Sequence, residues 1–189
     1  MSKIQGVNAA LVVSELSSDD WQRLRELRLA SLKHDGSAFG GNLEAESEFT
    51  ESEWREKFTK LEFIVASING SDIAIMSVEK MNGDFGARCW IGGCWVENSH
   101  RNKGALRAMF AYVDKHAESR DWQIQGLGVW IDNFAAISAY KKLGFVEMGE
   151  PQMSTRKPGL LYQRRIRKTP QSLLGNIHEL DSVLTFSGF

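Results

Sequence analysis

The longest amphipathic pattern in the chain places Leu106, Met109, Phe110, Val113 and Ala117 at the i, i+3, i+4, i+7, i+11 spacing of one buried helical face. A strand-like run precedes it, so residues 96–107 predict a strand, a tight turn and a helix. The rest of the pattern is arranged around this unit. Residues 7–13 are β-prone and end at Ser14, predicting a first strand. Ser17, Ser18, Asp19 and Asp20 then supply cap candidates and first-turn acid ahead of Trp21, Leu24, Leu27 and Leu32, a first helix. Residues 36–42, rich in glycine, break that helix. Thr50 and Glu53 have the spacing of a capping box before Trp54, Phe58 and Leu61, a second helix.

Apolar runs at 63–68, 73–80 and 88–96 are separated by the short turns Asn69-Gly70-Ser71-Asp72 and Asn82-Gly83-Asp84-Phe85-Gly86. Turns of that length predict consecutive antiparallel hairpins, and the interior pair Gly92-Gly93 predicts a bulge. After the long helix, residues 122–131 alternate, with Leu127, Val129 and Ile131 on one face and Gly126 and Gly128 on the other. A helix between two strands predicts a parallel, right-handed crossover, and glycines on both strands allow them to part around an extended ligand. Asn133 caps a short helix that ends with Lys141, Lys142 and a terminating Gly144. Residues 145–149 and 160–168 read as two closing strands. The apolar tail of residues 169–189, with Leu173, Leu174, Ile177, Leu180, Val183, Leu184, Phe186 and Phe189, is expected to pack on the domain or on a second copy, which makes a homodimer a reasonable expectation.

Composition changes this picture little. At 189 residues the length suits one domain, here taken as 1–168, and a net charge of −1 gives no global pull toward nucleic acid. No apolar run approaches the length of a membrane span. The two cysteines, Cys89 and Cys94, stand five apart in one strand with opposite parity, so free thiols and a cytoplasmic chain are expected. Six glutamates between 44 and 56 form either a rim attracting cations or a plain solvated surface. The basic residues Arg156, Lys157, Arg164, Arg165, Arg167 and Lys168 read as a solvated strand edge.

Charge at the pivotal turn is more informative. Arg101, Lys103 and Arg107 crowd a helix N-terminus with no acid between 101 and 113. That end already carries about half a positive charge, so an anion is missing from the sequence neighbourhood. Gly104 allows a tight turn and a close approach to the amides, which suits a phosphate or pyrophosphate; the alternative is a solvated basic turn.

Two stretches taken together resemble the GNAT superfamily of acyl-CoA-dependent N-acetyltransferases. Arg101, Gly104 and Leu106 fall on its pyrophosphate motif, and Asn133, Ala136, Tyr140 and Leu143-Gly144-Phe145 fall on its later motif. The stretch from Leu27 and Arg28 through Ala38, Phe39 and Trp54 is similar to the N-terminal part of many members. The resemblance covers roughly residues 7–168. It implies an α/β (α+β) fold, a mixed, mostly antiparallel sheet of about seven strands flanked by helices on both faces and parting at the fourth and fifth strands. It further implies acetyl-CoA as cosubstrate without a metal. The pantetheine arm would lie along Cys94, Trp95 and Val96, and the pyrophosphate on the amides of Arg101, Asn102, Lys103, Gly104, Ala105 and Leu106. Asn133, Ala136 and Tyr140 would face the pantetheine and thioester. Leu106 departs from the motif, whose third position is usually small.

Acetyl transfer needs a free-base amine, and an amine of pKa ~10.4 is deprotonated only about once in 2,500 molecules at pH 7. A base or an apolar pocket must help. Glu79, Glu97, His100 and Asp132 are the candidates, none preferred. Backbone amides near Cys94, Trp95 and Val96 would hold the oxyanion, and Tyr140 would protonate the leaving thiolate. Trp90, Trp95 and Trp130 either line an acceptor pocket or belong to the core. The expected activity is direct acetyl transfer to a primary amine in a ternary complex, the acceptor being polyamine-like, an antibiotic or a peptide N-terminus. A non-catalytic CoA-binding or partner-binding module is the alternative.

Overall fold

The computed structural model describes residues 10–170. The predicted apolar tail and the first residues of the predicted opening strand lie outside them. Seven strands run in the order β1-β2-β3-β4-β5-β7-β6. They are β1 (Leu11–Leu16), β2 (Leu61–Ile68), β3 (Ser71–Lys80), β4 (Cys89–Val96), β5 (Ile124–Trp130), β6 (Val146–Met153) and β7 (Leu161–Lys168). All neighbours are antiparallel except β4 and β5. The β2–β3 hairpin turns on Asn69 and Gly70, both at positive φ (53° and 79°), the conformation tight hairpin turns require.

Five helices cover the two faces: α1 (Trp21–Asp35), α2 (Leu43–Ser47), α3 (Glu51–Glu56), α4 (Ala105–Arg120) and α5 (Phe134–Lys142). The Thr50–Glu53 capping box starts α3 as its spacing predicts. The short α2 was not expected; Asn42 caps it by accepting from the amide of Ala45 at 2.9 Å.

Strand alternation divides the core. Ile64 and Ala66 of β2 with Ala74, Met76 and Val78 of β3 face α4, where Met109, Phe110, Val113 and Ala117 are buried. Phe63, Val65 and Ile75 face the other way, toward Leu24, Leu27 and Trp54 of α1 and α3. Each large side chain so buried contributes about 1.5–3 kcal/mol before entropy is subtracted. The buried face of α4 begins at Ala105, not at Leu106, which is only partly buried.

The basic C-terminal strand is not a solvated edge. β7 lies between β5 and β6, so its arginines are internal: Arg165 is 3% exposed and Arg167 7%. Arg167 donates to Asp114 of α4 at 2.7 Å, to Gln125 at 2.9 Å and to the Leu143 carbonyl at 3.0 Å, and stacks on Phe110 and Phe145. Arg165 pairs with Glu147. The outer strand is β6, whose Pro151 sits where no ladder bond is required of it.

Candidate active site

Between β3 and β4 the register slips: Ser77 pairs with Gly92 and Ile75 with Trp95, so Gly93 and Cys94 together oppose Met76. This is the bulge expected from the glycine pair, with Gly93 at φ 59°. On its other side β4 pairs with β5 only at Cys89–Gln125, Trp90–Gly126 and Ile91–Leu127. Beyond Ile91 and Leu127 the strands part. The β4 edge from Gly92 to Val96 therefore has no ladder partner in β5, and its polar groups are open to an amide-bearing ligand.

A cleft of about 1230 Å³ opens there and extends over the α1–α3 face of the sheet. Gly92, Gly93 and Cys94, with Gly128, Asn133, Ala136 and Tyr140, line its inner part. The Asn133 side chain accepts from the Ala136 amide at 3.1 Å, capping α5, so its capping role is real. The Tyr140 hydroxyl lies beside the Cys94 sulfur, near enough for each to act on the other's proton. Burial pushes the Cys94 thiol up to about 11, although the tyrosine hydrogen bond works against that rise. Burial, followed by the neighbouring sulfur, also holds the Tyr140 hydroxyl well above its ordinary value. Both groups keep their protons at neutral pH. The two cysteines are free, as expected.

The turn after β4 leads into α4 through Asn102 and Gly104, both at positive φ (61° and 92°). No side chain caps α4. The first bond into the helix runs from Ala108 N to the Gly104 carbonyl at 2.9 Å, which leaves the amides of Ala105, Leu106 and Arg107 without a backbone acceptor. A Cβ built on Gly104 meets nothing within 4 Å, so the space before these amides is open. These amides are open to an anion, and the Leu106 side chain packs partly against the core.

The missing anion is partly answered from a distant element. Asp35, the last residue of α1, pairs with Arg101 and accepts from Trp95 Nε1 at 2.8 Å; the Arg101 Nε also donates to the Val96 carbonyl at 2.9 Å. The guanidinium thus ties β4 to α1, and Trp95 belongs to the core rather than the cleft. Among the described residues, no carboxylate pairs with Lys103 or Arg107.

The glycine face of β5 is not bare space. A Cβ on Gly126 would lie 2.7 Å from the Trp90 ring, and one on Gly128 would lie 3.0 Å from Tyr162. The glycines admit those rings, which with Trp130 line the outer cleft. Of the four base candidates, Glu79 alone lines the cleft, opposite Trp90 in the β3–β4 register. His100 and Glu97 pair with each other at 2.9 Å in the turn, and Asp132 is exposed after β5.

A family model for the acetyltransferase (GNAT) family matches residues 21–145, two thirds of the chain. The chain belongs to the GNAT acetyltransferase family. No curated protein matches it, but solved structures share its fold. A GNAT-family acetyltransferase from Streptococcus pneumoniae superposes with a TM-score of 0.67 at 17% identity, over 84% of this chain and 99% of that one. A putative acetyltransferase from Salmonella typhimurium, solved with its cofactor acetyl-CoA, gives 0.64 at 16% identity, over 85% and 95%. The ribosomal-protein-S18-alanine N-acetyltransferase of Escherichia coli gives 0.59 at 16% identity, over 85% and 94%. The GNAT acetyltransferase family accounts for the seven-stranded mixed sheet and its parted strands. Sequence reasoning missed Asp35, whose partners Trp95 and Arg101 are 60 and 66 positions away, and it gave no role in the cleft to Lys57 or Arg156, which the fold brings together from the end of α3 and the β6–β7 loop.

Proposed function

We propose that the chain transfers the acetyl group of acetyl-CoA directly to a primary amine in a ternary complex. The observation that carries this reading is the Tyr140–Cys94 pair at the point where β4 and β5 part. Pantetheine pairs with the free edge of Cys94, Trp95 and Val96, beside Asn133 and Ala136. The pyrophosphate takes the turn from Arg101 to Leu106, with Lys103 supplying charge. Glu79 takes one proton from the ammonium, directly or through a water, to give the free amine. The amine nitrogen bonds to the thioester carbonyl carbon and amides of the bulge hold the oxyanion; the carbon–sulfur bond then breaks as Tyr140 gives its proton to the leaving sulfur, and the second nitrogen proton, shed as the amide forms, restores Tyr140.

A protonated tyrosine is what the final step requires. The raised Cys94 thiol supports direct transfer, because a thiol held near 11 is a poor nucleophile at neutral pH and cannot readily carry the acetyl group itself. Replacing Tyr140 by Phe is expected to lower turnover by about 10²-fold or more while acetyl-CoA affinity changes by less than about threefold. Steady-state kinetics and calorimetric titration with acetyl-CoA check this; equal losses in both would remove Tyr140 from the role.

A further inference from the structure

Two cations of the outer cleft, Lys57 and Arg156, are used by nothing in the transfer chemistry. Arg28 of α1 and Glu46 of α2 form a two-pronged pair, Nε to Oε2 at 2.8 Å and Nη2 to Oε1 at 2.7 Å. That pair is closed to itself, and Glu46 is only 8% exposed. Lys57 is held beside it, its ammonium 4.8 Å from the Phe49 ring centre and 5.1 Å from that of Trp54. The charges acting on Lys57 are Glu46, Arg28, Arg156 and Glu53. Glu53 is already committed, accepting from the Thr50 amide at 2.7 Å and the Thr50 hydroxyl at 2.8 Å. Arg156 comes from the β6–β7 loop and lays its stem against Gly40, where a Cβ would lie 3.0 Å from its Cδ. Lys57 and Arg156 both line the cleft, and neither has a carboxylate within 4 Å among the described residues.

Lys57 is half-buried, which makes an unneutralised ammonium costly. Ring faces offset part of that cost but accept no full hydrogen bond. In the glutamate-rich segment Glu46 and Glu51 are bound by Arg28 and Arg55, and Glu53, held by Thr50, acts on Lys57 only from beyond ion-pair distance. A polyamine end placed against Lys57 and Arg156 would therefore meet like charge.

We infer that the amine acceptor carries an anionic group, a carboxylate or a phosphate, which Lys57 and Arg156 bind while the amine reaches Glu79 and the thioester. The inference rests on the acetyl-transfer reading above. Phe39 and Phe49, only partly buried beside the cations, fit an apolar spacer between the two charged ends.

The test is thiol release from acetyl-CoA with matched acceptors: α-amino acids, ω-amino acids of three to six carbons and O-phosphoethanolamine, each against the amine of the same skeleton without the anion, with spermidine as the cationic comparison. At least one anionic amine is expected to exceed its neutral partner in kcat/KM by about tenfold or more. The carboxylate and phosphate arms show which anion the pocket takes. Lys57→Met, which retains most of the stem, and the exposed Arg156→Gln should each shrink that ratio, the first to within about threefold. Thermal midpoints of both variants separate lost recognition from lost folding. Ratios near one in the unaltered chain, preference for spermidine, or a ratio that survives both substitutions would overturn the inference while acetyl transfer stands. Thiol release from none of the amines would overturn the transfer reading as well.

Discussion

The two parts of the cleft are built on different principles. The inner part is made of backbone: a bulge, an unpaired strand edge and an uncapped helix end, drawn from residues 92–106 with α5 beside them. The outer part is made of side chains brought together from α1, α3, β3, β4 and two loops. Backbone recognition needs particular φ angles, and therefore glycines at fixed spacing. Side-chain recognition needs only that distant residues meet. The first leaves a motif and the second does not, so the cosubstrate is easier to read from this chain than the acceptor.

The largest expected effect concerns the frame that both parts share. Replacing Arg167 by Met leaves the partly buried Asp114 without its cation and empties the stack on Phe110 and Phe145, and is expected to cost about 3 kcal/mol of stability. That is a fall of roughly 10 °C in the unfolding midpoint for a chain of this size, read by calorimetry. A fall under about 2 °C would mean that the β7 arginines are incidental to the frame.

A smaller effect isolates the backbone part. Gly104→Val places a branched side chain at φ 92°, with a strain of about 1–3 kcal/mol, and is expected to weaken acetyl-CoA binding by roughly ten- to a hundredfold. Leu106→Ala should change that affinity by less than about threefold, since its amide and not its side chain faces the anion. A strong gain on Leu106→Ala would show that side-chain bulk shapes the cradle after all.

The smallest effect is the share of the alkaline pH dependence that comes from the two thiols of β4. Burial raises Cys89 from 9.0 to about 12 and Cys94 from 9.0 to about 11. Their contribution to folding is complete below pH 9, where folded and unfolded chains both hold the protons. Above pH 9 the unfolded chain releases protons that the folded chain retains, so stability falls as pH rises toward 11 and 12. Midpoints measured from pH 8 to 10.5 should decline, and less steeply in a Cys89→Ala, Cys94→Ala chain. Equal slopes would assign the decline to other groups.

Much of the fold was legible because local signals agreed. The capping box of Thr50, the Asn69-Gly70 turn, the glycine pair of β4 and the Asn133 cap each appear where the sequence places them. The misreadings came where tertiary context reverses a local pattern. Arg164, Arg165 and Arg167 look solvated until β7 proves to be an inner strand with Asp114 facing it, whereas Arg156 and Lys168 are exposed as read. Gly126 and Gly128 look like empty space until Trp90 and Tyr162 occupy it. Leu106 looks like the head of a buried stripe, but the helix begins one residue earlier. Asp35, which answers the charge of Arg101, is separated from it by 66 positions, beyond the reach of any window.

The seam between β4 and β5 has a mechanical consequence. Three residue pairs join a four-stranded half, β1 to β4, to a three-stranded half, β5 to β7, with α4 bridging one face. Such a sheet can breathe about its seam without breaking the ladders inside either half. Acetyl-CoA bound where the ladder stops, as proposed, would act as a splint between the halves. Amide hydrogen exchange in residues 92–96 and 128–130 should slow together when it binds, and the stiffened sheet then presents the outer cleft as one fixed surface.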